Sequence, residues 1–373
     1  MSQGPSWHCD WNAGAPVEPE VLERFVAVER DCPGNPASLH AAGRRSRAVL
    51  EAARGDVAEA LGVAADDVLF TSGGTEAANL AVLGLGDPDL PVLLAPVEHP
   101  CVLEPASARG CVTWRVDRSG AAVVESTDAA VGLVCLVHAQ SELGTLQPVA
   151  AAAAVARAAG APLFVDAAQS LGRVPLADVL ESADALALSP HKCGGLRGHA
   201  VLVIRGGASA LRRPLLRGGG QEQGMRPGTQ SPALCAANAL AITRALEETE
   251  RRGRRMAEAR AAFLAGLRAS RVEHHILTPL PTSLPNTLMI AFEDVDGRSL
   301  LPLLDLAGVR ASHGSACASG SPEPPAVLRA IGMPESLQRA AVRFSFGWRD
   351  AADELAQCGR TVGETVHRRH KKN

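Results

Sequence analysis

Residues 163–192 read LFVDAAQSLGRVPLADVLESADALALSPHK. They contain two short apolar runs, Leu163–Val165 and Ala185–Leu188. Each run is apolar at odd and even positions alike, which predicts a strand that is covered on both faces of a sheet. Asp166 directly follows the first run, and Lys192 lies shortly after the second. Because ligands bind beyond the carboxyl ends of the strands in an open parallel sheet, this stretch predicts both the fold and the place of a site.

The same kind of apolar run recurs through the first two thirds of the chain. Further strands are predicted at residues 68–71, 92–95, 131–137 and 200–204. Helical patterns lie before and between these runs, at residues 18–30, 38–61, 76–84 and 149–159. This alternation of helices with fully apolar strands predicts an α/β domain with a mostly parallel sheet.

The pattern changes after a long helical stretch. That stretch runs from Pro232 to near Arg271, and Gly253 is the expected kink. Beyond it we expect strands at 286–292, 309–312 and 341–346, helices at 298–306 and from about 350, and a loop of small residues at about 312–325. A chain of 373 residues is long enough for two domains. We therefore expect a large domain of residues 15–252 and a smaller α+β domain formed by residues 1–14 and 253–373.

The composition argues against several classes of protein. The net charge is -3 and the basic residues are scattered, which argues against direct binding to nucleic acid. No apolar run reaches the length of a membrane span, and the first residues lack the form of a signal peptide. The nine cysteines include no Cys-x-x-Cys pair and no Cys/His cluster at zinc spacing, so no metal site is expected. We expect a cytoplasmic protein with free thiols and no membrane contact.

Lysine is nearly absent from the chain. Only three of the 37 basic residues are lysines, and Lys371 and Lys372 are two of them. The third is Lys192. Arginine can replace lysine as a charge but cannot form an imine, because its guanidinium stays protonated. The single internal lysine indicates either that an amine is required there or that one lysine remains by chance.

Three further polar groups follow predicted strands and would converge with Lys192. One strand runs into residues 72–76, Ser-Gly-Gly-Thr-Glu, a glycine turn at a helix start that could seat a phosphate. Asp166 and His99 follow two other strands. Considered singly, these features are an ordinary helix start, a helix N-cap and a loop histidine. Considered together around one amine, they match the needs of pyridoxal 5′-phosphate (PLP): an imine-forming lysine, an acid for the ring nitrogen, an anion seat and a flat group.

A second group of candidates lies in the smaller domain. Cys317 stands in residues 312–321, Ser-His-Gly-Ser-Ala-Cys-Ala-Ser-Gly-Ser, whereas a structural cysteine usually lies in an apolar element. Such a setting suits a reachable and mobile thiol. Cys193, next to Lys192, is the one other thiol that could lie near such a site. Arg343 lies in a strand-like segment, where a substrate carboxylate would serve as a bidentate partner.

Short motifs follow one another along nearly the whole chain. They are Asp10–Pro16, Gly34–Ser38, Thr71–Glu76, Val97–His99, Glu142–Pro148, Val165–Ser170, Ser189–Lys192, Gly218–Glu222, Arg226–Thr229, Gly314–Cys317 and Arg343–Gly347. In this order they resemble the cysteine desulfurases of the class V aminotransferase group. The resemblance implies the PLP-dependent transferase fold type I, with a large domain built on a mostly parallel sheet and a smaller α+β domain.

The resemblance also implies a role for each matching residue. The implied catalytic residues are Lys192, which looks like the lysine that bonds to PLP, Cys317, which matches the thiol that becomes a persulfide, and His99. The implied cofactor contacts are Asp166 at the pyridine nitrogen, Gln169 at the phenolic oxygen, His99 on the ring, and Gly74, Thr75, Ser189 and His191 at the phosphate. Thr229 is implied to reach the phosphate of a neighbouring subunit, so the resemblance implies a homodimer.

Substrate binding is implied for Arg343, Ser141 and Asn35. The chain departs from the family pattern at Gln140-Ser141, where most members have two asparagines before Glu142. Serine is too short to make the contact of the second asparagine without a shift or a water. The departure therefore bears on which substrate is preferred.

The function that the resemblance implies is conversion of L-cysteine to L-alanine. Sulfur would pass as a persulfide on Cys317 to a sulfur-acceptor protein, for iron–sulfur cluster assembly, tRNA thiolation or DNA sulfur modification. Alternatives are a selenocysteine lyase or another class V enzyme, or a weakly active dimeric partner or scaffold protein.

Overall fold

The computed structural model describes residues 5–314 and 324–370 of the chain. Its strands are β1 (Trp7–His8), β2 (Val68–Thr71), β3 (Val92–Leu94), β4 (Cys111–Thr113), β5 (Arg115–Val116), β6 (Ala122–Val123), β7 (Leu133–Val137), β8 (Leu163–Asp166), β9 (Ala185–Leu188), β10 (Ala200–Ile204), β11 (His274–Ile276), β12 (Thr287–Phe292), β13 (Val309–Arg310) and β14 (Ala341–Ser345). Its helices are α1 (Pro19–Asp31), α2 (Ala41–Leu61), α3 (Gly74–Gly84), α4 (Pro100–Arg109), α5 (Val149–Ala159), α6 (Ala177–Ser182), α7 (Pro232–Glu247), α8 (Thr249–Ala269), α9 (Gly297–Leu306), α10 (Ala326–Ala330), α11 (Glu335–Ala340) and α12 (Ala352–His370). None of the described helices combines the length and the apolar character that crossing a membrane requires.

The large sheet has the strand order β2-β10-β9-β8-β7-β3-β4. Strand β10 is antiparallel to both of its neighbours, and the other pairings are parallel. The prediction of an α/β fold with a mostly parallel sheet is therefore confirmed. In such a sheet the carboxyl ends of β2, β3, β7, β8 and β9 lie along one edge, where a site is expected.

Both faces of this sheet are covered, as its continuously apolar strands require. On one face Val134 and Val165 join a core that includes residues of α2, α5 and α7. On the other face Cys135 and Phe164 pack with residues of α3 and α4. Successive residues of one strand thus enter opposite cores, which explains why the runs show no polar alternation.

A separate core lies in the second part of the chain. The antiparallel sheet β11-β12-β14 packs there against α8, α9 and α12. Trp7 and Cys9 belong to this core, and β1 pairs with β13, so the N-terminal segment packs with the smaller unit. The division into residues 15–252 on the one hand and 1–14 with 253–373 on the other stays a prediction, which the separate cores favour.

The long helical stretch consists of two helices, and the expected kink at Gly253 is wrong. The break between α7 and α8 is at Glu248, whose φ of -97° and ψ of 5° are not helical. Gly253 lies inside α8. A Cβ at Gly253 would lie 3.1 Å from the carbonyl oxygen of Arg173, so this glycine serves the close approach of α8 to a turn after β8.

Candidate active site

Sequence-predicted residues from separate parts of the chain meet at the carboxyl edge of the large sheet. A pocket of about 140 Å³, here called the inner pocket, is lined by Gly74, Thr75, His99, Ser141, Asp166, Gln169, Ser189, His191, Lys192 and Arg343. A larger cavity of about 670 Å³, here called the outer cleft, shares His99 and Ser141 with it. The outer cleft lies between Glu98 on the large-sheet side and Asp305 of the smaller unit.

The amino end of α3 forms an anion seat in the inner pocket. Its N-cap residue, Gly73, has no side chain to cap the first N–H groups of the helix. A Cβ at Gly74 would lie 2.6 Å from Oγ of Ser189, so only glycine lets that hydroxyl approach the helix end. Uncapped N–H groups, the helix dipole and a hydroxyl together favour a phosphate.

Asp166 and Lys192 bring an acid and an amine to the same pocket. Asp166 ends β8 between β7 and β9, and its Oδ1 accepts a hydrogen bond from the N–H of Ala168 at 2.9 Å. Burial lowers the pKa of Lys192; the charge of Asp166 opposes this effect and that of Arg173 adds to it. A lowered pKa leaves more of the amine in the neutral form that can attack an aldehyde.

His99 is both the N-cap of α4 and part of the pocket wall. Its Nδ1 accepts a hydrogen bond from the N–H of Cys101 at 3.2 Å. Burial lowers the pKa of His99, so the ring is neutral at physiological pH. Because Nδ1 accepts, the ring hydrogen must be on Nε2. The pocket therefore contains a flat, neutral imidazole with one N–H to donate.

Arg343 is held in place by groups of this chain. It is 1% exposed. Its Nη1 donates to the carbonyl oxygen of Ser141 at 3.0 Å, and its Nη2 donates to Oδ1 of Asp10 at 2.7 Å. The Nε–H has no hydrogen-bond partner among the described residues. A guanidinium that is fixed in orientation and lines the inner pocket suits a carboxylate ligand.

The departure from the family pattern at Gln140-Ser141 has a local structural reason. Oε1 of Gln140 accepts hydrogen bonds from the N–H groups of Glu142 and Leu143, both at 2.7 Å. The amide therefore stabilises its own turn. Ser141 lies at the junction of the inner pocket and the outer cleft, and its side chain is the one that replaces the second asparagine there.

Two of the predicted residues that the structure describes, Asn35 and Thr229, are not brought to the inner pocket. Asn35 is exposed, and its Oδ1 accepts from a backbone N–H of its own turn at 2.9 Å. Thr229 is exposed as well. Neither lines the inner pocket or the outer cleft of the described chain, and both roles stay predictions. Cys317 lies outside the described residues; Gly314 and Pro324, the nearest described residues on either side, line the outer cleft.

Among the described residues, Cys101 is the thiol that lines the inner pocket, and Cys193 does not line it. Cys193 is buried, and its Sγ donates to the carbonyl oxygen of Pro190 at 3.2 Å. Burial raises the pKa of Cys193 to about 12, so this thiol is not ionised. Cys101 lies on the first turn of the helix that His99 caps, and this proximity in sequence was the available signal.

Asn12 and Arg173 belong to the site and were not predicted individually. Asn12 lines the inner pocket, and Arg173 lies behind it with a hydrogen bond to Gln169. A basic residue in the otherwise apolar turn after Ser170 was the signal for Arg173. Asn12 comes from the N-terminal segment, which no local pattern connects with the large sheet.

The inner pocket fits PLP. The uncapped end of α3 offers N–H groups to a phosphate, and Gly74 lets the Ser189 hydroxyl lie close to them, since a Cβ at Gly74 would collide with that hydroxyl. The remaining wall presents a carboxylate, an amine of lowered pKa and a neutral imidazole. These are the groups that PLP enzymes use to hold the cofactor and tune its electronics.

Comparisons with known proteins agree with this geometry. The family model Aminotransferase class-V matches residues 8–357. Cysteine desulfurase IscS of Dictyoglomus turgidum is 33% identical over 361 residues, which are 93% of this chain and 91% of that protein. Cysteine desulfurase NifS of Azotobacter vinelandii is 36% identical over 374 residues, 96% of this chain and 92% of that protein. The solved structure of a NifS-like protein has a TM-score of 0.86 and 29% identity, and covers 97% of this chain and 100% of that chain.

Proposed function

This chain belongs to the cysteine desulfurases of the class V aminotransferase family, and we propose that the residues of the inner pocket, with Cys317, convert L-cysteine to L-alanine and a persulfide. The observation that carries the proposal is the convergence of Lys192, Asp166 and Arg343 on one pocket with an anion seat. Amine, acid, anion seat and carboxylate-binding guanidinium are what a PLP enzyme acting on an amino acid requires.

The residues of the pocket hold the cofactor and move a proton. When bound, PLP withdraws electrons from the substrate Cα and so makes its proton acidic. Gly74 and Ser189 would hold the phosphate of the cofactor, and Asp166 would keep a proton on its ring nitrogen. Lys192 would hold the cofactor through its aldehyde carbon, and the neutral Lys192 amine would take up the proton of the substrate Cα. The lowered pKa of Lys192 suits this task, because only the neutral amine can accept a proton.

Arg343 binds the substrate carboxylate. Asp10 and the carbonyl of Ser141 hold two of its nitrogens, so the guanidinium is oriented before substrate arrives. Arg343 lines the inner pocket, where a substrate carboxylate would meet this guanidinium. Orientation before binding lowers the entropy that is lost on binding.

Cys317 takes the sulfur. Its thiolate attacks the substrate sulfur, so that an S–S bond forms while the bond from sulfur to Cβ breaks. The electron pair left on Cβ takes up a proton, which yields alanine and a persulfide on Cys317. The persulfide sulfur then passes to an acceptor protein that serves iron–sulfur cluster assembly or tRNA thiolation.

We further propose a homodimer and a cytoplasmic location. Thr229 is exposed and does not line the inner pocket of its own chain, which supports a contact with the phosphate of a second subunit. The eight cysteines of the described residues form no disulfide with one another, as is usual in a reducing compartment.

The test is a product assay with L-cysteine on the PLP-loaded enzyme. We expect alanine in the wild type, together with a persulfide on Cys317 that mass spectrometry of the peptide detects. Cys317→Ala should form no persulfide and little alanine. Cys111→Ala, which removes an exposed thiol, is the matched control and should behave like the wild type.

Each other outcome points to an alternative. Unchanged turnover in Cys317→Ala would indicate a lyase that does not transfer sulfur, such as a selenocysteine lyase. The absence of any change in the cofactor spectrum at millimolar L-cysteine would indicate a scaffold protein. Either result would overturn the proposal.

A further inference from the structure

Arg173 is a buried cation, and its hydrogen bonds within the described part of the chain go to uncharged oxygens. It is 3% exposed. Its Nη1 donates to Oδ1 of Asn12 at 2.6 Å and to Oε1 of Gln169 at 2.5 Å. Its Nη2 donates to the carbonyl oxygens of Trp11 at 3.2 Å and Lys192 at 3.3 Å. Burying a cation without a carboxylate partner costs free energy, and these four contacts do not neutralise the charge of Arg173. The directions of the four hydrogen bonds are therefore of interest.

The contact with Gln169 determines which way its amide points. A guanidinium can only donate hydrogen bonds, so the atom that faces Arg173 must be the amide oxygen. The amide nitrogen then lies on the other side, where one N–H donates to the carbonyl oxygen of Asn12 at 3.0 Å. An amide nitrogen carries two hydrogens, and Gln169 lines the inner pocket. The second N–H is therefore the group that Gln169 can present to a ligand.

Asn12 cannot relieve this arrangement by rotating its own amide. Its Oδ1 accepts from Arg173 and from Nδ2 of Asn286 at 3.0 Å. Its Nδ2 donates to the carbonyl oxygen of Ser141 at 3.1 Å and to Oγ1 of Thr287 at 2.9 Å. Rotation of the Asn12 amide would place Nδ2 against the donors of Arg173 and Asn286, and Oδ1 against the carbonyl oxygen of Ser141.

We propose that Arg173 is a positioning residue of the cofactor site, which fixes the amide of Gln169 so that it donates to an ionised phenolic oxygen of the cofactor. The proposal rests on the proposed function, since it requires PLP in the inner pocket. A flipped amide would present its oxygen and repel the phenolate. Through Gln169, Arg173 therefore favours the deprotonated oxygen of lysine-bound PLP.

The positive charge of Arg173 acts in the same direction. Burial lowers the pKa of Arg173 to about 10, which still leaves it protonated at neutral pH. Its bond to the carbonyl of Lys192 places this charge next to the imine-forming residue. A fixed positive charge there favours the form of the lysine-bound chromophore that carries one proton fewer.

The test follows the absorbance of the substrate-free, PLP-loaded enzyme as a function of pH. The measured quantity is the spectral midpoint, the pH at which the absorbance of lysine-bound PLP is half changed. In Arg173→Met we expect the midpoint to rise by about one unit, because one hydrogen bond to a charged oxygen is lost. Arg173→Lys keeps the charge and one donor, and should restore part of the shift.

A double-mutant cycle tests whether Arg173 acts through Gln169. In a Gln169→Ala background, Arg173→Met should shift the spectral midpoint by less than half of the shift that it causes in the wild-type background. The reason is that the Gln169 amide, through which Arg173 acts, is absent. Arg54→Met is the matched control: Arg54 is also buried, is paired with Glu222 at 2.9 Å, and does not line the inner pocket. This control should lower the melting temperature and leave the midpoint unchanged.

Two results would overturn the inference. One is a fall in melting temperature in both Arg173 variants with an unchanged midpoint, which would indicate a purely structural role. The other is full additivity of the Arg173→Met and Gln169→Ala shifts. Both results count against the inference only if the wild type binds PLP and forms alanine from L-cysteine. If the wild type does neither, the proposed function itself has failed.

Discussion

Glu98 should make the stability of this protein fall as the pH rises through neutrality. Its side chain is 5% exposed and lies next to His99. Oε1 accepts a hydrogen bond from the N–H of Val137 at 2.7 Å, whereas Oε2 has no partner among the described residues. Burial raises the pKa of Glu98 from 4.5 to about 8; the bond from Val137 opposes this rise and the charge of Asp166 adds to it.

The magnitude follows from the two pKa values. The folded state holds the Glu98 proton more tightly than the unfolded state, so stability is complete below about pH 4.5 and is lost as the pH rises towards 8. The difference of 8 - 4.5 = 3.5 units corresponds to about 5 kcal/mol over the whole window, at about 1.36 kcal/mol per unit. Between about pH 5 and pH 7.5 the expected loss is about 3 kcal/mol.

The assay compares the wild type with Glu98→Gln, which keeps the shape and the acceptor for Val137 but cannot ionise. Urea unfolding is followed by tryptophan fluorescence from about pH 5 to pH 7.5. The variant should gain about 3 kcal/mol relative to the wild type across this range. All other groups titrate alike in both proteins and cancel in the difference. Glu104→Gln, which changes an exposed residue of α4, should show no such trend.

An independent measurement is the infrared spectrum. At neutral pH the wild type should show the C=O band of a protonated carboxyl group that Glu98→Gln lacks. A constant difference in unfolding free energy between the two proteins at every pH, without that band, would mean that Glu98 is ionised in the folded protein. The reasoning from burial would then be refuted.

Three further predictions concern the site and the packing. Lys192→Ala should abolish the yellow absorbance of lysine-bound PLP near neutral pH, and its retention would mean that the imine-forming lysine is misassigned. Arg343→Ala should weaken binding of L-cysteine by roughly 2–4 kcal/mol, seen as a higher KM, since it removes one partner of a desolvated charge pair; an effect confined to turnover at saturating cysteine would contradict this role. Gly266→Ala should lower the melting temperature, because its Cβ would collide with the carbonyl of Ala356 on α12. Gly55→Ala, where a Cβ meets nothing within 4 Å, should gain up to about 1 kcal/mol of stability, and equal effects at the two glycines would argue against this packing.

Much of the fold was accessible from local sequence patterns. The runs that form β2, β8, β9 and β10 are apolar at nearly every position, because both faces of the large sheet are covered. The polar residues that follow β2, β8 and β9 therefore mark the carboxyl edge of the sheet. In this way the amino-acid sequence alone places Asp166 and Lys192 at one site.

Other features were wrong or missed because they depend on contacts between distant residues. A glycine within a helical pattern is compatible with a kink and with a close contact between backbones. The carbonyl oxygen of Arg173, which lies close to Gly253, shows that this glycine permits a close contact. Likewise, Cys193 is nearer to Lys192 in sequence, but among the described residues Cys101 is the thiol that lines the inner pocket.

The strands, their polar ends and the residue types that indicate PLP chemistry can all be read from the sequence, because hydrophobic periodicity and motif spacing are local properties of a chain. Two contacts depend instead on the packing of the whole molecule. In one, Asp10 holds Arg343; in the other, Arg173 orients the amide of Gln169. Asp10 joins the N-terminal segment to the small sheet, and Arg173 joins that segment to the large sheet through Asn12. Their partners are chosen by how separate elements pack, and hydrogen-bond direction follows from which donors and acceptors that packing brings together.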